Sequence, residues 1–278
     1  MPFSPEFNRL EQKSNLEEAH KKALSLNERY EIKPESFTDL YGEQVVNNDL
    51  VELKRLEGVF KSQETPESRE MKMWAEVMEA IILEQGEQGE WFGDKASTIK
   101  TSRYDDIKNG VDAIVEFEEG INRASHAGLA IDATYSDEVG KKVKSIKNKI
   151  DSGKLGVVKY FESEQMPLRG ELSEIPITIV TANAKTVREL AELWANNDKK
   201  SLANHWVQFQ ILEELIEECK IFSTYANKVG QLLVAQRYDH IKEIAEQILI
   251  DKQDKVKDTG QRDNNFRQTL SDIEWMLK

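Results

Sequence analysis

Residues 111–117, VDAIVEF, and 129–135, LAIDATY, decide how this chain is read. Side chains alternate across a strand, so Val111, Ala113, Val115 and Phe117 share a uniformly apolar face while Asp112, Ile114 and Glu116 share the other. In the second segment Leu129, Ile131 and Ala133 lie together, with Ala130, Asp132 and Thr134 opposite. Each segment therefore commits one aspartate to the less apolar face of a strand. If the strands are neighbours, the two ionised carboxylates repel unless a cation lies between them. A hard divalent ion such as Mg²⁺, which takes one or two carboxylates plus waters and phosphate oxygens, resolves that conflict. Bound there, it would activate a water and neutralise charge on a phosphodiester.

Working outward, the flanking segments predict an α/β chain. Upstream, TPESREMKMWAEVMEAIILEQ (65–85) opens with threonine, proline and a glutamate, the signals of a helix N-terminus. Trp74, Val77, Met78 and Ile81 then form an apolar stripe at helical spacing. ASTIKTS (96–102) reads as a strand, and a lysine-rich helix, LGVVKYFES (155–163), the buried strand IPITIVTA (175–182) and the helix KTVRELAELWAN (185–196) come after the aspartate pair. The order is helix, three strands, helix, two strands, helix, with the first strands joined tightly enough to be antiparallel. That is an α/β sandwich. Residues 15–30 predict an amphipathic helix, 37–60 one or two short helices, and the chain beyond about 200 an antiparallel helical pair with a charged tail at 251–263 and a last helix within 266–277. The expected division is an N-terminal helical extension (1–64), a core (65–200) and a C-terminal helical appendage (201–278).

Composition narrows the function classes. The 278 residues carry 51 acidic against 38 basic side chains, a formal charge of −13, which repels nucleic acid and anionic membranes at long range but leaves room for a local basic patch. The only cysteine, Cys219, forms no intrachain disulfide, and His20, His126, His205 and His240 lack metal-ligand spacing, so metal chemistry rests on oxygen ligands. Apolar runs fall well short of the ~20 residues that span a bilayer, and the N-terminus lacks an apolar signal core, so a cytoplasmic protein without membrane partners is expected.

A helix with a glutamate, GVDAIVEF with Asp112, AIDAT with Asp132 and a lysine-bearing helix resemble, across roughly 67–196, the PD-(D/E)XK nuclease superfamily. The resemblance implies a restriction-endonuclease-like mixed sheet flanked by helices and Mg²⁺- or Mn²⁺-dependent hydrolysis of phosphodiester bonds, with DNA as the nucleic-acid partner. It assigns Asp112 and Asp132 as metal ligands, a lysine two positions beyond the second acid to the attacking water, and a helix glutamate to assist. Thr134 stands at the lysine position and brings no positive charge. The resemblance therefore passes the lysine's role to Lys142, with Lys141 and Lys108 as alternatives, and the glutamate's to Glu79, with Glu70 as competitor.

Each assignment has a structural rival. Asp112, following Asn109-Gly110, suits a turn residue ending a hairpin, and Asp132 suits a hydrogen bond to neighbouring backbone. The segment 141–161 holds seven lysines against one acid, which fits a track for a phosphate backbone or a solvated helix face below Val143, Ile146 and Ile150. His126 reads as a loop or turn residue, and Trp194, Trp206 and Phe209 as helix packing. The rival function is a catalytically degenerate protein of this fold serving as a nucleic-acid or protein binding module, and a homodimer is among the assemblies the sequence allows.

Overall fold

The computed structural model describes residues 5–121, 123–132 and 137–278. Helices α1 (Pro5–Tyr30), α2 (Thr38–Tyr41), α3 (Glu43–Ser62) and α4 (Pro66–Gln88) lead into β1 (Ala96–Lys100), α5 (Arg103–Asn109), β2 (Ala113–Gly120) and β3 (Arg123–Asp132). There follow α6 (Asp137–Asp151), β4 (Gly156–Glu162), β5 (Arg169–Ile175), β6 (Ile177–Thr181), α7 (Ala184–Ala195), α8 (Lys199–Ala203), α9 (Val207–Lys228), α10 (Leu232–Gln253) and α11 (Asn264–Met276). Among the described residues no helix is long and apolar enough to cross a membrane.

The protein is a mixed α/β structure. Four strands lie in the order β1-β2-β3-β6, antiparallel from β1 through β3, with β6 parallel to β3. A separate antiparallel hairpin joins β4 to β5. Register puts Thr98, Lys100, Val115 and Leu129 on one face of the main sheet and Ser97, Ile99, Ile114, Glu116 and His126 on the other.

Helix α4 covers the first face. Its start is fixed by Thr65 and Ser68, which cap each other's backbone N–H, and by Pro66 in the first turn. Its stripe of Trp74, Val77, Met78 and Ile81 is buried as the periodicity predicts. Near its end Gly86 lies so close to β1 that a β-carbon there would overlap Thr98 Oγ1. The β4–β5 hairpin lies over the second face, where Phe161 meets His126 edge to face at 5.3 Å and Gln165 donates to Ser97 Oγ at 2.9 Å.

The C-terminal helices close an edge of this sheet. Ile179 N–H donates to Glu218 Oε2 at 2.7 Å, and Thr181 N–H donates to both Glu214 carboxylate oxygens at 3.3 Å. The geometry follows from two periods: helical residues four apart rise about 6 Å and strand residues two apart about 6.6 Å. One α9 face therefore satisfies consecutive outward N–H groups of β6 and leaves no bare edge there. Burial pushes both carboxyls well above the usual glutamate range despite the hydrogen bonds they accept.

Several elements differ from the sequence reading. Residues 103–109, between the first two strands, form a helix that the sequence reading did not include, α5: Ser102 caps its start through Asp105 N–H, and Gly110, at φ +70°, ends it. The Asn-Gly step thus serves as a helix C-terminus rather than a hairpin turn, because only a residue tolerant of the left-handed region completes that cap. Strand β5 was hidden because RGELSEI sets its two apolar side chains, Leu172 and Ile175, three residues apart rather than at strand spacing, and α3 is one helix of 20 residues rather than a short piece. His126 sits within β3, not in a turn, with Nε2 2.9 Å from the buried Glu116. Trp194, Trp206 and Phe209 are buried in helix packing, as expected.

Candidate carboxylate and lysine site

Pairing Ala113 with Leu129 places Asp112 opposite Ala130, two residues from Asp132 along the same face. Asp112 lies just before β2, and its N–H continues the ladder to Leu129 O at 2.9 Å. Because β2 begins where β3 ends, both aspartates occupy one end of the sheet. The antiparallel turn, not sequence distance, brings them there.

Asp112 is held from several sides. Its Oδ2 accepts Ile131 N–H at 2.6 Å. Its carbonyl oxygen receives Thr101 Oγ1 at 3.0 Å and Lys100 Nζ at 3.3 Å. The Asp106 carboxyl on α5 lies beside the Asp112 carboxyl, so the charge on one disfavours charge on the other. Burial first, and Asp106 second, push Asp112 up to about 7, against the pull of Lys142 and Lys100. Asp106 is the ionised partner: burial raises it, but Lys100, Arg103 and the proton on Asp112 together bring it below the usual range.

Two lysines border the pair. Lys142, on the first turns of α6, donates to Ile131 O at 2.6 Å and stands 4.0 Å from Asp132 Oδ2. Lys100, almost fully buried on β1, pairs with Glu79 of α4. Thus Glu79 reaches this end of the sheet through Lys100, whereas Glu70 is exposed on the first turns of α4. Lys108 lies elsewhere: it is exposed on α5 and pairs with Glu52 at 3.6 Å, because α5 turns it toward α3. Lys141 is exposed. Thr134 lies outside the described residues.

Lys100, Asp106 and Arg103 were not singled out from the sequence. Lys100 had a visible signal: in ASTIK it alternates with Thr98 and Ala96 on the face that must meet α4, where a lysine needs a partner. Asp105, beside Asp106, has a structural role. It is buried and accepts Lys159 N–H at 2.7 Å and Tyr160 N–H at 3.1 Å, tying α5 to β4. The lysine run of 141–161 also divides: Lys147 pairs with Asp151 at 2.8 Å, and Lys159 turns inward to Asp49 among Tyr41, Tyr104 and Tyr160.

The oxygen donors Asp106, Asp112 and Asp132 suit a hard cation in kind, and a Mg²⁺ ion held by one or two carboxylates keeps waters in its other positions. Among the described residues, no group of three or more His, Cys, Asp or Glu is arranged to hold a metal ion by itself. No protein-family model, curated protein or solved structure gives a significant match to the chain.

Proposed function

We propose that this chain is a metal-dependent nuclease of the PD-(D/E)XK type that hydrolyses phosphodiester bonds in DNA with Mg²⁺ or Mn²⁺. The observation that carries the reading is the convergence of Asp112 and Asp132 on one end of a mixed sheet, with Lys142 beside Asp132. A mixed sheet flanked by helices is also the architecture which the resemblance implies.

Asp112 and Asp132 would hold the ion, Asp112 through the oxygen not committed to Ile131 N–H. When bound, the ion would polarise a water and offset charge on the phosphodiester. Around it, Lys142 would present its ammonium group to a phosphate oxygen in exchange for its contact with Ile131 O. Lys100 positions Asp112 through its carbonyl and balances Glu79. Asp106 would keep an ionised carboxylate beside Asp112, whose proton would be released to solvent as the ion binds.

The test is incubation of supercoiled plasmid and single-stranded DNA with Mg²⁺, Mn²⁺ or EDTA, using the natural chain and the Asp112→Ala and Asp132→Ala variants. Metal-dependent cleavage that falls at least a hundredfold in both variants, with unchanged circular dichroism, is the expected result. Full cleavage by a folded Asp112→Ala variant would overturn the assignment. The engagement of both lysines with protein partners favours the second reading, a noncatalytic binding module, and that reading predicts no cleavage with any metal and no calorimetric Mn²⁺ binding that depends on Asp112.

A further inference from the structure

A cavity of about 690 Å³ opens at the other end of the main sheet, between the start of β3, the turn before β4 and the first turns of α10. Ser125 lines it, and the seven steps from Ser125 to Asp132 span roughly 23 Å of extended strand. It is therefore separate from the carboxylate site. Its volume falls in the range of about 300–1,000 Å³ that small-molecule sites occupy.

Its walls have two characters. Arg123, Lys154, Arg237 and His240 face it, against a single acid, Glu174. In a chain of net charge −13 this is a local reversal of sign. Existing ion pairs leave these cations exchangeable: Arg237 meets Glu174 at 2.6 Å, but their side chains are 58% and 66% exposed, where such pairs contribute little. His240 meets Glu119 at 3.0 Å at the rim, and Arg123 stays 3.8 Å from the same carboxylate. Leu155, Val157 and Leu233 add apolar surface to the lining, and Leu233 is 78% exposed.

We infer that this cavity binds a small amphiphilic anion, with a phosphate-type head on Arg237 and Lys154 and a flat apolar body against Val157 and Leu233. Neither half suffices alone. Inorganic phosphate would forgo the apolar surface, and a neutral ring would leave the cations facing only water and Glu174.

The experiment is calorimetric titration of the full chain at pH 7 in EDTA, which removes any metal-dependent hydrolysis, with 1-naphthyl phosphate, inorganic phosphate and 1-naphthol separately. One naphthyl phosphate per chain is expected, bound at least tenfold more tightly than either fragment. The Lys154→Glu/Arg237→Glu double variant should lose at least tenfold in affinity and Leu233→Asp at least fivefold, with thermal unfolding unchanged. Asp132→Ala should leave binding intact, which separates this cavity from the carboxylate site. Absence of one-site binding, equal affinity for 1-naphthol, or unchanged affinity in the charge-reversed variant would each overturn the inference.

Discussion

Replacing Glu218 tests how α9 closes the sheet edge, and two substitutions separate its effects. Glu218 is fully buried and accepts Ile179 N–H, while its Oε1 has no hydrogen-bond partner among the described residues. Glu218→Ala strands that N–H, at a cost of about 1–3 kcal/mol. It also removes one buried methylene worth about 0.8 kcal/mol, so a loss of roughly 3 kcal/mol is expected. Glu218→Gln keeps the acceptor and the shape of the protonated acid. Because burial raises the folded-state pKa above the unfolded value of about 4.3, the native carboxyl favours folding fully below that value. The advantage is lost as pH rises toward the folded pKa, by up to about 1.4 kcal/mol per pH unit. Glutamine carries no such penalty. In thermal unfolding, Glu218→Gln should match the natural chain near pH 4.5 and exceed it at pH 8, while Glu218→Ala falls below Glu218→Gln by a constant margin throughout. At about 2–4 °C per kcal/mol for a chain of this size, these differences are measurable. A glutamine-minus-glutamate difference that stays constant from pH 4.5 to 8 would refute the reasoning.

Three further substitutions address the scaffold around the site. Lys100→Met leaves Glu79 as an uncompensated, nearly buried carboxylate and should destabilise by about 3–5 kcal/mol in urea unfolding, with much of the loss recovered in the Lys100→Met/Glu79→Gln pair. Asp105→Ala frees two backbone N–H groups of β4 and should cost about 3 kcal/mol or more, with amide exchange accelerating first at Lys159 and Tyr160. Gly86→Ala gains helix propensity but forces a β-carbon onto Thr98; it should therefore destabilise by about 1–3 kcal/mol in the same assay.

What the sequence reveals and hides here follows from whether a signal is carried by one element or shared between two. Alternation in VDAIVEF and LAIDATY is a property of each strand alone, so the place of Asp112 and of Asp132 on the less apolar face of its own strand was readable before their pairing was known. The α4 stripe was readable for the same reason. Glu214 and Glu218 show the reverse case. Within LEELIEEC they look like ordinary charged positions on a helix, and only the outward N–H groups of β6, more than 30 residues away, turn them into buried acceptors. Lys100 was missed likewise, because its partner Glu79 lies 21 residues distant on another element. Asp105 and Asp106 add a finer distinction. Adjacent and chemically identical, they begin one short helix, yet its twist sends the first to the backbone of β4 and the second to Asp112. Residue type announces that a carboxylate needs a cation, a proton or a donor; which it obtains depends on what the fold brings beside it. Electrostatic assignments from sequence therefore hold best where both partners lie on the same local pattern, and Lys142, one helix beyond Asp132, was within that reach while Lys100 was not.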